Sequence, residues 1–275
     1  MKTIAIANTK GGCGKTTTAI NLAASLGCQG ARVLLVDLDT QGHATLGTGL
    51  TCDDQVGLYE VFAKRALLRD VIVRDVVAGI DLLPATRSLG RAETLLSDWP
   101  REMELSMHLA QVDADYDFVV IDCPAALGLL TTNALLAADE LLVPIEMGLF
   151  AMDSVAKLHH AIEVLQQKHQ RNFTVRILPT MVDNRTRLAR SFLRNIWERY
   201  ADEVLPLMVH HTVRVKEAVC KGLPILQYDA DSPATADYQR LAELLRSEPH
   251  LSNEPGDNLD AQQVERRDAV EAAIA

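Results

Sequence analysis

The chain predicts an α/β fold, a doubly wound, mostly parallel sheet flanked by helices. Short β-branched or leucine-rich runs alternate with longer helical patterns, as repeated βαβ units require. Several runs are apolar throughout, which suits strands covered on both faces. The 275 residues, 48% hydrophobic and 23% charged, are enough for one large domain and exclude disorder as the main state.

In chain order, the run Thr3-Ile4-Ala5-Ile6-Ala7-Asn8 predicts a strand at 3–8, and a glycine-rich loop then opens a helix at 15–28. A strand at 32–37 ends in Asp37, and a helix is expected at 58–66. A strand at 80–83 and helices at 91–96 and 102–112 lead to a strand at 118–122, four apolar residues closed by one acid. A helix at 131–138, a strand at 140–144, a helix at 152–169 and a strand at 173–181 follow. Helices at 188–200 and 233–245 complete the set.

After Ser247 the composition turns to Pro, Glu, Asp, Asn and Gln, so the folded domain is expected to span 1–247 and an acidic, flexible tail 248–275. The net charge is −10, and the seven acids and two bases after Arg246 put half of it in the tail. That balance excludes a uniformly basic nucleic-acid wrapper but not a local basic patch. The longest uncharged stretches, 16–31 and 123–138, are too short and too polar to span a bilayer. A short helix at 262–275 would offer only Val264, Val270 and Ile274 among alanines, a poor membrane anchor. Residues 1–8 lack the apolar length of a secretory signal, which predicts a cytoplasmic protein. Five cysteines without a C-x-x-C pair read as reduced thiols.

The strongest local signal is Lys10-Gly11-Gly12-Cys13-Gly14-Lys15-Thr16-Thr17, between the first strand and its helix. Glycines let successive backbone N–H groups close around phosphate oxygens, and the helix adds its positive N-terminus. Lys15 is placed to meet β and γ phosphates, and the Thr16 hydroxyl to coordinate Mg²⁺. The usual first glycine of such a loop is Thr9 here.

A second lysine at the loop start makes the K-G-G-x-G-K-T-T pattern resemble the deviant Walker A loop of the ParA/Soj/MinD family of P-loop ATPases. The resemblance implies that Lys10 reaches the partner subunit's nucleotide in a sandwich dimer. Asp37-Leu38-Asp39-Thr40-Gln41-Gly42 resembles the family's switch I segment, with Thr40 where proline is usual; Asp39 then positions the attacking water and lies at the metal site. Tyr116 through Pro124 resembles the Walker B strand running into switch II, which assigns Asp122 to Mg²⁺. Similarity continues at Leu82 to Leu89, Leu178 to Asp183 and Val213 to Leu226. Where the family commonly reads I-P-R-N beside adenine, the chain reads Val209-His210-His211-Thr212, leaving backbone contacts at His210 and Thr212. Cys13 and Cys123 are read first as small side chains; as a redox hypothesis, a thiol at a helix N-terminus gains acidity and becomes open to peroxide.

Five arginines and a single acid fall between Arg185 and Arg199. Arg187, Arg190 and Arg194 occur at i, i+3 and i+7, on one helix face, while Leu188, Phe192, Ile196 and Tyr200 are expected to form the core stripe. With Arg214, which aligns with a DNA-contacting arginine of the family, these are the candidate DNA contacts.

On the family's pattern the chain is expected to be a ParA-type ATPase using ATP and Mg²⁺. It would form an ATP-dependent homodimer, bind nucleoid double-stranded DNA non-specifically, and position a plasmid, chromosome or protein organelle. A ParB-like or cargo-adaptor protein would stimulate slow hydrolysis. The first strand begins at once, which points to the short form without a helix-turn-helix. The alternative is a MinD-like membrane-cycling ATPase, against which the acidic, alanine-rich tail argues. An iron-protein-like electron carrier needs cysteines spaced to bridge a cluster, and Cys123 beside Asp122 lacks that spacing.

Overall fold

The computed structural model describes residues 1–51, 56–97, 101–148 and 150–247. The expected acidic tail and its short helix lie outside the described residues. Seven strands form one sheet in the order β3-β4-β2-β5-β1-β6-β7. They are β1 (Lys2–Ile6), β2 (Val33–Asp37), β3 (Val73–Val77), β4 (Ile80–Leu83), β5 (Phe118–Asp122), β6 (Glu140–Glu146) and β7 (Thr174–Thr180). All neighbouring pairs are parallel except β3 with β4.

The unbroken apolar runs have the expected cause. Ile4 and Ile6 of β1 pack on one side of the sheet with Ile20, Leu22 and Leu26, whereas Ala5 packs on the other with Leu130 and Ala134. The central strands β1, β2 and β5 therefore bury both of their faces, whereas edge strand β3 leaves Arg74 and Asp75 exposed. The first layer is built by α1 (Lys15–Cys28) and, at the chain's end, α12 (Pro233–Ser247). The second is built mainly by α3 (Leu58–Phe62), α5 (Ala92–Leu96), α6 (Glu104–Leu109), α7 (Leu129–Ala137) and α8 (Ala151–His169). The chain also forms α2 (His43–Gly47), α4 (Leu68–Val71), α9 (Arg187–Tyr200), α10 (Val213–Cys220) and α11 (Ile225–Tyr228). No described helix is long and apolar enough to cross a membrane.

Three expectations need correction. The helix expected at 58–66 is shorter, α3 alone, because Lys64 takes a left-handed φ of 57° and stops it. The helix expected at 102–112 is α-helical only over α6, with 3₁₀ turns at Arg101–Met103 and Ala110–Val112. Edge strand β3 has no counterpart in the sequence reading. It pairs with β4 through Ala78 and Gly79, both at positive φ (53° and 72°), so a two-residue hairpin turn is built without the Asn-Gly signal that usually marks one.

Candidate nucleotide site

The loop from Ala7 to Gly14 leaves the carboxyl end of β1 and enters α1 directly. Gly12 and Gly14 have φ of 77° and 92°, conformations an L side chain strains to adopt. The loop is braced from within and from outside: Lys10 N–H donates to Asn8 Oδ1 (3.1 Å), Asn8 Nδ2 to the Pro144 carbonyl (2.7 Å), and Thr180 Oγ1 to the Cys13 carbonyl (2.8 Å). Helix α1 has no acidic residue in its first turn and no side-chain cap, so its N-terminal donors are left to another acceptor. Lys15 is buried and donates to the Lys10 carbonyl at 3.1 Å. Lys10, by contrast, pairs with Glu146 at 2.7 Å. Glu146 closes β6, 136 residues away, and no local motif marks it.

The acids meet where parallel strands end. Asp37 of β2 and Asp122 of β5 stand opposite each other in register, both fully buried. Asp37 accepts from Thr45 N and Oγ1, each at 2.7 Å, and from Asp39 N at 3.2 Å. Burial first, with Asp39 nearby, pushes its carboxyl up to about 6 despite those donors. Neither carboxylate oxygen of Asp122 has a hydrogen-bond partner. Burial and the adjacent Asp37 push its pKa well above the ordinary carboxylate range; proximity to Thr16 and Lys15 offsets only part of this. A buried carboxylate without partners is costly, and a cation within reach would relieve it. Asp39 is half-exposed and anchors its own turn, accepting from Gln41 N at 3.0 Å. Among the described residues no three His, Cys, Asp or Glu side chains form a metal cage. That donor set suits Mg²⁺ shared with phosphates rather than held by protein alone.

Beside the loop lies a cavity of about 300 Å³ lined by Gly14, Thr17, His210, Thr212, Val215 and Tyr238, among others. His210 and Thr212 line this mostly apolar recess, which is large enough for a planar base. One expectation changes. The His210 N–H and Nδ1 both face Asp237 Oδ2 at 2.9 Å, so this backbone donor is already engaged. Asp237 escaped the sequence reading because it lies on α12, 27 positions away.

The redox hypothesis for Cys13 and Cys123 loses its premise. Both thiols are fully buried, and burial drives their pKa up, Cys123 beyond the thiol range. Buried and un-ionised, both pack as small side chains at this edge.

Helix α9 exposes Arg187, Arg190 and Arg194, as their spacing predicted. Of the expected core stripe, Ile196 is buried and Phe192 and Tyr200 pack partly buried against the core, but Leu188 is 72% exposed, and Ala189 and Leu193 are buried in addition. Thr186 caps the helix by accepting from Ala189 N at 3.1 Å, and that start sets the rotation that turns Leu188 outward. The entries to α9 and α10 are neighbours, because Val182 N donates to the Val209 carbonyl (3.0 Å) and His211 N to the Val182 carbonyl (3.0 Å). Arg214 therefore rises on α10 near the start of the arginine helix.

A family model described as an AAA domain matches residues 1–175. Sporulation initiation inhibitor protein Soj of Bacillus subtilis is 38% identical over 244 residues, 88% of this chain and 96% of that protein. Chromosome partitioning protein ParA of Myxococcus xanthus is 37% identical over 241 residues, 86% of this chain and 85% of its own. Among solved structures, a Mycobacterium smegmatis protein described as cobyrinic acid a,c-diamide synthase, with bound ATP analog and magnesium, is similar at a TM-score of 0.77. It is 35% identical and the match covers 90% of this chain and 95% of that one.

Proposed function

Because the chain belongs to the ParA/Soj family of partitioning ATPases, we propose that it hydrolyses ATP to ADP and phosphate in an Mg²⁺-dependent, DNA-bound homodimer that positions a cargo. The observation that carries this reading is the pairing of two lysines in one glycine loop with a buried, unpartnered Asp122 beside it.

Each residue then has one task. Gly11, Gly12, Cys13 and Gly14 present backbone N–H groups to the phosphates, and Lys15 neutralises the β and γ oxygens. Thr16 and Thr17 extend the cradle into α1. Thr16 and Asp122 hold Mg²⁺, with Asp39 at the rim, and the metal supplies charge neutralisation of the triphosphate. Asp39 orients the attacking water. His210 and Thr212 wall the base. Lys10 leaves Glu146 and crosses to the partner's nucleotide, so that the active dimer is complete only when two chains face each other. Arg187, Arg190, Arg194 and Arg214 hold DNA phosphates, and a ParB-like or cargo-adaptor protein accelerates turnover. On this reading the protein is nucleoid-associated in the cytoplasm.

Size exclusion with Mg-ATP tests the scheme. Wild-type protein is expected to elute as a dimer and Lys15→Ala as a monomer under the same conditions. A variant that still dimerises with ATP would overturn it.

A further inference from the structure

Arg214 differs from the other candidate DNA contacts in its surroundings. No acid among the described residues pairs with Arg187, Arg190 or Arg194, which stand exposed on α9. Arg214 is about half exposed, yet two carboxylates hold it: its Nη1 donates to Glu217 Oε2 at 3.1 Å, and its Nε lies 3.4 Å from Asp229 Oδ2. Both contacts favour the charged guanidinium, Glu217 most strongly. The Tyr228 hydroxyl donates to the same Glu217 oxygen at 3.1 Å, fixing that carboxylate from the other side.

The stereochemistry matters. A guanidinium grips a phosphate in two ways, through the Nε/Nη2 edge or the Nη1/Nη2 edge. In Arg214 the Nη1 donor is committed to Glu217, and the Asp229 carboxylate stands 3.4 Å from Nε as an ion pair without a hydrogen bond. A phosphate approaching either edge therefore meets a carboxylate already paired with the guanidinium. The local charge is also wrong for DNA, since one arginine and two acids sum to −1. From this geometry we infer that Glu217 and Asp229 form a charge lock on Arg214, which DNA phosphate must displace and which weakens the grip of the proposed DNA face. The inference rests on the DNA-binding reading above and deepens it: α9 supplies the standing attraction, and α10 supplies a contact that is withheld until phosphate competes for it.

Such a lock is soft, because ion pairs exposed to water are weak. Its removal is therefore expected to tighten binding modestly rather than create it. Two copies act in a dimer, so the combined effect is roughly 3- to 20-fold. If each Arg214 gains one phosphate, the slope of log affinity against log salt steepens by about 2 per dimer.

The experiment measures duplex DNA affinity of full-length protein with Mg-ATP at several salt concentrations. The proteins are wild type, Glu217→Gln/Asp229→Asn, the same pair with Arg214→Ala, and Arg187→Glu/Arg190→Glu/Arg194→Glu. The double variant is expected to bind 3- to 20-fold tighter with a steeper salt slope, and the gain to vanish when Arg214 is removed. Unchanged affinity, or a gain that persists without Arg214, overturns the lock. Failure of the underlying reading looks different: wild type does not bind, or the α9 reversal binds as well as wild type.

Discussion

The three acids at the sheet edge divide by what they already hold. Asp37 is spent on Thr45 and on the backbone of Asp39, so it shapes the turn instead of meeting ligand. Asp122 is buried and unpartnered, the state of a group kept for a cation. Asp39 alone is half-exposed and free of a cation partner, and it suits a water-orienting task. Asp39→Ala is therefore expected to keep ATP binding while slowing phosphate release by at least about tenfold, which leaves a persistent dimer. Phosphate-release kinetics together with size exclusion read both effects, and wild-type turnover would remove Asp39 from this role. These residues were legible because each sits within a few positions of a strand end or a glycine loop. Glu146 and Asp237 were not, since their contacts with Lys10 and His210 exist only once distant strands and helices are assembled.

Among the elements, α7 shows how the segment after Asp122 is anchored at its far end. Segment 123–128 links Asp122 to this helix, and the α7 N-terminus is capped from outside: Leu129 N and Leu130 N donate to Glu93 at 2.9 and 3.2 Å. The cap also explains Gly128, where an added Cβ would lie 2.5 Å from Glu93 Oε1. One carboxylate thus satisfies two orphan donors and complements the helix dipole. Glu93→Ala is expected to cost about 1–2 kcal/mol, roughly 2–8 °C in melting temperature for a domain of this size. Glu93→Gln should recover part of that, since it keeps an acceptor. A melt unchanged by Glu93→Ala would show that the cap contributes nothing. Such long-range caps are invisible to local pattern, unlike α1, whose expected bounds match Lys15–Cys28 because a glycine loop opens it and an apolar face sustains it. The helices missed in the sequence, α2, α4, α10 and α11, run four to eight residues, too short to show a period and held by tertiary contacts.

For the whole molecule, the net charge of −10 conceals an uneven surface. The parallel order of the sheet could be read from strand after strand of apolar residues, and the basic face of α9 from the spacing of its arginines. Arg187, Arg190 and Arg194 stand in solvent together on that face. Two such helices in a dimer neutralise about six phosphates, so log affinity should fall against log salt with a slope near −5. Between 50 and 200 mM salt the dimer would then lose roughly three orders of magnitude in affinity. Under the proposed function, an acidic protein with this arrangement would avoid DNA as a monomer, where only three contacts act against the overall negative charge, and would bind once ATP doubled the number of contacts. Reversing all three arginines to Glu is expected to abolish DNA binding at moderate salt while leaving ATP hydrolysis without DNA intact. Salt titrations of DNA binding by wild type and reversed protein, with ATPase assays in parallel, check both. A wild-type slope near zero would mean that phosphate neutralisation by α9 is not the basis of the interaction.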